Sequence, residues 1–208
     1  MLHILSSDRR DLEGHVLRGM FEARKRVFVD LLGWDVPVID GRYEVDQFDD
    51  HHATYLVVTD DAGEHRASAR LLPTTRPHIL DSFFGALCEG DPPCGDHVFE
   101  ITRFCLDRRS NSRSRRDARD ALVRSIADYG VASGISLYTG VAEIGWLQQI
   151  LAFGWRCRPL GLPKRIAGAL LGALAIEISE ETPSLLVSLL GAPADAIAID
   201  EAEVRRAA

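Results

Sequence analysis

The chain has 208 residues, of which 46% are hydrophobic and 26% are charged, and its net charge is -7. These are ordinary globular values, and the length suits one domain with its own hydrophobic core. The acidic charge excludes a general nucleic-acid-binding protein, which would be basic. The first residues contain no basic segment followed by an apolar run, so we expect no secretory signal.

The apolar runs and the cysteines favour a cytoplasmic protein. The longest apolar run, residues 166–176, is too short to span a membrane. The cysteines show no Cys-x-x-Cys spacing and no histidine partner pattern, which is typical of reduced thiols; they are Cys88, Cys94, Cys105 and Cys157.

The first part of the chain contains clear signals for secondary structure. Residues 2–6 predict an edge strand, and the helical spacing over residues 11–32 predicts a helix that Gly33 ends. Residues 54–59 and 67–72 flank a turn-rich stretch and predict a β-hairpin.

Residues 33–52 have no clear period, and a loop of this length is usually functional or disordered. The acidic residues in this loop and the pair His51 and His52 are plausible metal ligands. The run lacks the spacing of a calcium loop, and adjacent histidines do not share one face of a strand. A solvated acidic loop is the alternative interpretation.

Residues 98–106 are rich in β-branched and aromatic residues and predict a central strand buried on both faces. Two charges interrupt it, Glu100 and Arg103, and buried charges are costly unless they are paired. The two residues are an odd number apart, so a regular strand would point them to opposite faces. Either the strand is irregular here, or the two residues contact different neighbours. The structural alternative is a buried pair of Glu100 and Arg103 that only fixes the register of the strand.

The remaining segments alternate between helices and strands. Helices are predicted at 79–87, 142–153 and 182–190, and a further helix follows the basic stretch 107–119 and ends at about residue 133. Strands are predicted at 135–141, 155–160 and 167–178. A hairpin followed by this alternation predicts one mixed-sheet α/β domain over residues 1–208, with residues 192–208 as a peripheral tail.

Five motifs occur in a specific order: Arg24-Lys-Arg-Val-Phe28, Leu32-Gly-Trp34, Glu44-x-Asp46-x-x-Asp49, Arg70-Leu-Leu-Pro-Thr-Thr75 and Phe99-Glu-Ile-Thr-Arg-Phe104. In this order and spacing they resemble the acyl-homoserine-lactone synthases, the autoinducer synthases of bacterial quorum sensing. Each motif is weak alone, but five in order are specific. The resemblance covers about residues 1–160, with one apparent extra residue between Trp34 and Glu44.

The resemblance implies a GNAT-like three-layer α/β/α fold with a central mixed, mostly antiparallel sheet. It also implies a two-step reaction, in which an acyl thioester on acyl carrier protein or coenzyme A acylates the α-amine of S-adenosylmethionine. The carboxylate of that product then attacks its own γ-carbon and expels methylthioadenosine, which closes the lactone. This chemistry needs no metal and no cofactor besides the two substrates.

Within the resemblance, Glu100 is a candidate general base for the amine, acting directly or through a water. Arg103 is a candidate for holding either the amino-acid carboxylate or the pantetheine arm. The implied substrate-binding residues are Arg24, Phe28, Trp34, Glu44, Asp46, Asp49, Arg70, Phe104, Thr139 and Trp146.

Several of these residues have a specific role and a structural alternative. Asp46 and Asp49 are expected to hold Arg24 and Arg70 in a buried network. Phe28 and Trp34 suit a sulfonium through cation–π contact, but either can be a packing residue. Trp146 is expected in the core or in the wall of the acyl pocket and not as a catalytic residue. Thr139 is expected in the wall of the acyl pocket.

Two other function classes stay open. A GNAT N-acyltransferase that uses acyl-CoA and another amine would carry a Gln/Arg-x-x-Gly-x-Gly/Ala turn, but residues 108–119 contain no glycine. A non-enzymatic ligand-binding domain would require the charged motifs to be only structural, which five matching motifs oppose. The basic stretch 108–124 is a candidate docking surface for an acidic carrier protein, and a solvated helix face is its alternative.

Overall fold

The computed structural model describes residues 1–6 and 14–190. Its strands are β1 (Leu2–Leu5), β2 (Val38–Ile39), β3 (Tyr43–Glu44), β4 (Thr54–Thr59), β5 (His65–Pro73), β6 (Val98–Leu106), β7 (Leu137–Glu143), β8 (Arg156–Pro159), β9 (Lys164–Ile166) and β10 (Ala169–Glu177). Its α-helices are α1 (Gly14–Arg24), α2 (Ile79–Phe84), α3 (Ser112–Ala132), α4 (Ile144–Leu151) and α5 (Thr182–Leu190). A π-helical segment, Lys25–Leu31, continues α1, and a 3-10 turn, Gly85–Leu87, continues α2.

One large sheet contains most of the strands, in the order β1-β4-β5-β6-β7-β10-β8, with β9 also paired to β10. Strands β2 and β3 form a separate two-stranded hairpin. The β6–β7 pair is parallel and places Glu100 opposite Thr139, whereas the β1–β4, β4–β5, β7–β10 and β8–β10 pairs are antiparallel. The predicted mixed, mostly antiparallel sheet is therefore confirmed.

The described chain forms two compact units, each assembled from separate segments. The first unit comprises residues 1–6, 14–71 and 103–126, and the second comprises 72–102 and 127–190. A single domain over residues 1–208 stays a prediction, and the predicted tail at 192–208 lies outside the described residues.

The core of the first unit lies between α1 and the sheet. Val16, Met20, Ala23 and Val27 are buried at helical spacing, so α1 and the start of the π-helical segment present one apolar face. Every residue of β4 is buried, which fits its place between β1 and β5.

The helix predicted over residues 11–32 is present where it is described, but its last two turns are π-helical. The Leu32 N–H donates to the Val27 carbonyl, five residues back, at 3.0 Å. Gly33 follows with a φ of +67°, the left-handed conformation that commonly ends helices, so the predicted end is confirmed. A π-helix changes the direction of the side chains after it and is frequent at functional sites. The sequence period did not reveal this change of helix type.

The core of the second unit lies between α2 and the sheet. Leu80 and Leu87 pack against Ala173 of β10 and against the partly buried Val141 of β7. Strand β9 was not predicted, whereas the predicted strand at 98–106 coincides with β6. No helix among residues 1–6 and 14–190 is long and apolar enough to cross a membrane.

Replacing Gly161 by alanine is expected to destabilise the second unit. A Cβ atom at Gly161 would lie 2.5 Å from the Leu87 carbonyl oxygen and 3.1 Å from the Glu89 nitrogen, so backbone must move. The Glu89 N–H also donates to the Leu160 carbonyl at 2.7 Å, which keeps the two segments close. We expect a loss of about 1–3 kcal/mol in the free energy of unfolding, measured by urea denaturation.

The matched control for this substitution is Gly145→Ala in α4, where a Cβ atom would meet nothing within 4 Å. Alanine favours helix, so this variant should be as stable as the parent protein or slightly more stable. Equal stability of the two variants would contradict the close approach at Gly161.

Candidate active site

Six charged side chains of the first unit form one buried cluster. The side chains are at most 9% exposed. The members are Arg24, Glu44, Asp46, Asp49, Arg70 and Arg103, which come from the end of α1, the loop and hairpin that follow it, and strands β5 and β6.

The six charges alternate in sign around a closed ring, which we call the charge ring. Arg24 binds Asp49 through two hydrogen bonds of 2.8 and 2.9 Å and also donates to Glu44. Arg103 donates to Glu44 at 3.0 Å and to Asp46 at 2.7 Å. Arg70 closes the ring with contacts of 2.6 Å to Asp46 and 2.8 Å to Asp49.

Each carboxylate of the charge ring therefore has two arginine partners, and each arginine has two carboxylate partners. Three positive and three negative charges cancel, which is how the ring can remain buried. The expected network of Asp46 and Asp49 with Arg24 and Arg70 is present. Glu44, implied only as a substrate-binding residue, is a full member of it.

The electrostatic environment favours the ionised forms of Asp49 and Arg24. Burial disfavours the charge on Asp49, but hydrogen bonds from Arg24 and the charges of Arg24 and Arg70 outweigh it and hold the Asp49 pKa well below its usual range. Burial likewise opposes the charge on Arg24, but Asp49 and Glu44 raise the Arg24 pKa above its ordinary value. The Tyr55 hydroxyl donates a further hydrogen bond of 2.9 Å to Asp49.

An aromatic pair lies beside the charge ring. Phe28 and Trp34 stack with their ring centroids 4.6 Å apart and their planes at 15°. Phe28 is buried, whereas Trp34 is 39% exposed and is not a core residue. The guanidinium carbon of Arg103 lies 5.7 Å from each ring centroid, so a cationic side chain of the protein already lies beside both aromatic rings.

Arg103 has a left-handed backbone, with a φ of +51° within β6. This conformation is costly for a residue other than glycine and is found mainly where the surrounding structure enforces it. The strand is thus irregular at Arg103, the second of the two charged residues that interrupt it. Because Arg103 already binds Glu44 and Asp46, its role towards the substrate carboxylate or the pantetheine arm stays a prediction.

Glu100 belongs to the second unit and is fully buried. Its two carboxylate oxygens accept the N–H groups of Ile79 and Leu80, at 2.8 and 2.9 Å, in the first turn of α2. Backbone N–H groups at the N-terminus of a helix stabilise a negative charge, and these two bonds hold the carboxylate in one orientation. A carboxylate oxygen has two lone pairs, so accepting one N–H does not use its whole capacity as an acceptor. No local sequence pattern indicates this contact with α2.

The other implied residues have separate environments. Thr139 is fully buried opposite Glu100, and its hydroxyl has no hydrogen-bond partner in the part of the chain that the structure describes. Trp146 makes an edge-to-face contact with Phe153, with 5.8 Å between the ring centroids. Phe104 is partly buried on β6 in the first unit.

The candidate metal ligands of the acidic loop are close together. Asp50, His51 and His52 each offer one atom within 4.8 Å of the others. They lie in a turn and not on a strand, so the alternation of strand side chains does not separate the two histidines, and their ring centroids are 3.8 Å apart. Exposed acidic groups often cluster without a metal. That the chemistry needs no metal stays a prediction.

Comparison with known proteins decides the family. The sequence model of the family described as autoinducer synthase matches residues 8–185. The chain belongs to the autoinducer synthase family. An acyl-homoserine-lactone synthase of Ralstonia nicotianae is 35% identical over 169 residues, which is 78% of this chain and 82% of that protein.

Solved structures agree with this assignment. A CoA-dependent acyl-homoserine lactone synthase, BjaI, with SAM and isopentyl-CoA, has a TM-score of 0.84 and 27% identity, and the match covers 100% of this chain and 98% of that chain. A second CoA-dependent synthase, MesI, has a TM-score of 0.86 and 26% identity, over 96% of this chain and 100% of that chain. The GNAT-like fold and the acyl-homoserine-lactone synthase class of enzyme are therefore confirmed.

Proposed function

We propose that this enzyme makes N-acyl-L-homoserine lactone from S-adenosylmethionine and an acyl thioester and releases methylthioadenosine. The observation that carries the proposal is Glu100, a buried carboxylate oriented by two backbone N–H groups at the position where the five motifs imply a base. The test is mass spectrometry of the products from S-adenosylmethionine and an acyl thioester. Acyl transfer to another amine without methylthioadenosine would favour the N-acyltransferase alternative.

Glu100 serves the first step of the proposed reaction. The α-ammonium group of S-adenosylmethionine must lose a proton before its nitrogen attacks the thioester carbonyl, and the carboxylate accepts that proton directly or through a water. The C–N bond forms, the C–S bond of the thioester breaks, and the donor leaves as a thiol. In the second step a carboxylate oxygen attacks the γ-carbon, and the electrons of the breaking C–S bond neutralise the sulfonium.

The charge ring and the aromatic pair serve substrate binding. The ring is neutral and fully paired, so we infer that it fixes the position of Arg103 and of the aromatic pair and does not itself neutralise a ligand. Trp34 is the exposed member of the pair and offers a ring face to the sulfonium.

We further infer that the acyl donor is a coenzyme A thioester. Two solved structures that match nearly the whole chain are both of CoA-dependent synthases, and this likeness supports the choice. The enzyme is proposed to need no cofactor besides its two substrates. We also propose that it acts in the cytoplasm, which the free state of its four cysteines supports.

Kinetics with one acyl chain on two carriers will test the donor. We expect a higher kcat/KM for the coenzyme A thioester than for the same chain on acyl carrier protein. Turnover of the carrier-bound chain alone would contradict this expectation.

Three arginines near the start of α3 allow a test of the alternative donor, an acyl chain on acyl carrier protein. Arg113 and Arg116 are exposed, and Arg115 donates to the Ser110 carbonyl at 2.6 Å. If an acidic carrier protein docks here, reversal of the three arginines to glutamate raises KM for the carrier-bound donor and flattens its salt dependence. KM for S-adenosylmethionine stays the same in either case.

A further inference from the structure

Two surface clefts of the first unit lie outside the charge ring. The more polar cleft, of about 260 Å³, is lined by Arg18, Arg26, Arg42 and Arg109 together with two glutamates and two histidines, and we call it the arginine cleft. The second cleft, of about 350 Å³, shares Arg26 and Arg109 with it. Val27 and Leu31 contribute apolar walls to the second cleft, which we call the apolar cleft.

The arginine cleft has a surplus of positive charge. Glu22 is shared between Arg42, at 2.8 Å, and Arg26, at 3.8 Å. Arg109 lies 3.0 Å from Asp107 and 3.6 Å from Glu64, and Arg18 makes no ion pair within the described part of the chain. Four arginines against these two glutamates and Asp107 leave one positive charge in excess, in a chain whose net charge is -7. A concave basic site of this kind attracts anions.

A buried histidine on the wall of the arginine cleft has an unused nitrogen. The His65 Nε2 atom lies 2.9 Å from the Ser68 hydroxyl, whereas its Nδ1 atom has no partner in the described residues. Burial lowers the His65 pKa to about 4, so the ring is neutral at pH 7. When the hydroxyl donates to Nε2, the Nδ1 atom carries the proton. The Nδ1–H group is then a buried donor without an acceptor among the described residues, on a residue that lines the cleft.

We propose that the arginine cleft binds a phosphate group of the acyl donor, with the apolar cleft holding the adjoining part of the same molecule. This inference rests on the proposed function. Of the two proposed substrates only the donor carries phosphate, since S-adenosylmethionine has none. The planar forks of the arginines match the oxygens of a phosphate.

The apolar cleft connects this site with the aromatic pair. Val27 lines the apolar cleft and also packs with Phe28 and Cys105 in one buried cluster. A donor held by its phosphate in the arginine cleft therefore contacts the residue next to Phe28. The phosphate belongs either to coenzyme A or to the phosphopantetheine arm of a carrier protein, and both present the same group.

The double variant Arg18→Ala/Arg42→Ala tests the inference. Both side chains are exposed and neither belongs to the charge ring, so the fold is expected to persist. KM is measured for three donors with one acyl chain: acyl-coenzyme A, phosphate-free acyl-pantetheine and acyl carrier protein. We expect KM for acyl-coenzyme A to rise about tenfold, because the two lost charge contacts are exposed and each is therefore weak. KM for acyl-pantetheine and for S-adenosylmethionine should stay the same.

The control is Arg156→Ala, which removes an exposed arginine of the second unit that is paired with Glu181 and should change no KM. A rise confined to the carrier-bound donor would support the cleft and assign the phosphate to the carrier's arm. An unchanged KM for both phosphate-bearing donors, or an equal rise for acyl-pantetheine, would overturn the inference. Calorimetry tests the cleft separately from activity, and coenzyme A is expected to bind about tenfold more weakly to the double variant than to the parent protein. If the parent protein makes no lactone, only the proposed function is overturned.

Discussion

Replacing Glu100 by glutamine is expected to lower turnover at least about a hundredfold, the range typical for loss of a general base. The amide has nearly the shape of the carboxylate but does not accept the proton of the amine. Glutamine also has only one oxygen for the two N–H groups of Ile79 and Leu80, so its NH2 group faces a donor at the start of α2. We therefore expect a stability loss of about 1–3 kcal/mol as well.

The assay must separate the two effects of this substitution. Circular dichroism and calorimetric binding of S-adenosylmethionine report whether the variant is folded, and single-turnover lactone formation reports the chemistry. Glu177→Gln, on an exposed position of β10, is the matched control and should leave turnover unchanged. Parent-like turnover in a folded Glu100→Gln protein would reduce Glu100 to a cap of α2.

Replacing Asp46 by alanine should lower both stability and activity, because the charge ring would then carry an unbalanced positive charge. Arg70 and Arg103 would each lose one carboxylate partner while remaining buried. The cost of leaving a buried charge without its partner is about 3–5 kcal/mol. Activity should fall because Arg103, which lies over Phe28 and Trp34, would lose part of its support.

The double variant Asp46→Ala/Arg70→Ala should be less damaged than the sum of the single variants. It removes one charge of each sign, and the remaining four members of the ring again balance. Urea denaturation of the parent and the three variants measures the coupling energy. The exposed pair Arg156 and Glu181 is the control and should show about 1 kcal/mol or less. Strictly additive effects would show that Asp46 and Arg70 do not share a network.

Local sequence patterns predicted most of the elements. The run of β-branched and aromatic residues at 98–106 coincides with β6, because such residues favour a strand buried in a sheet. Gly33 ends the first long helix, because glycine adopts the left-handed conformation at little cost. The order and spacing of the five motifs were sufficient for the family, which the match over residues 8–185 confirms.

The partners of the charged residues were only partly predictable. Asp46 and Asp49 were expected to meet Arg24 and Arg70, but the place of Glu44 in the ring was not foreseen. Arg103 and Glu44 are 59 positions apart in the chain, and no local pattern specifies which of several carboxylates an arginine will reach. The clefts around Arg26 and Arg109 were missed for the same reason, since the lining residues come from four separate segments.

The sequence by itself determined the family, the order of most elements and the types of residue at the candidate site, because periodicity, turn residues and motif spacing are local properties. Only the tertiary structure decided which charges pair, that Glu100 holds the first turn of α2, and that Arg103 takes a left-handed backbone within β6. These features depend on segments distant in the chain. Burial makes an unpaired charge costly, so the packing of the whole unit, and no single motif, selects the partner of each charge.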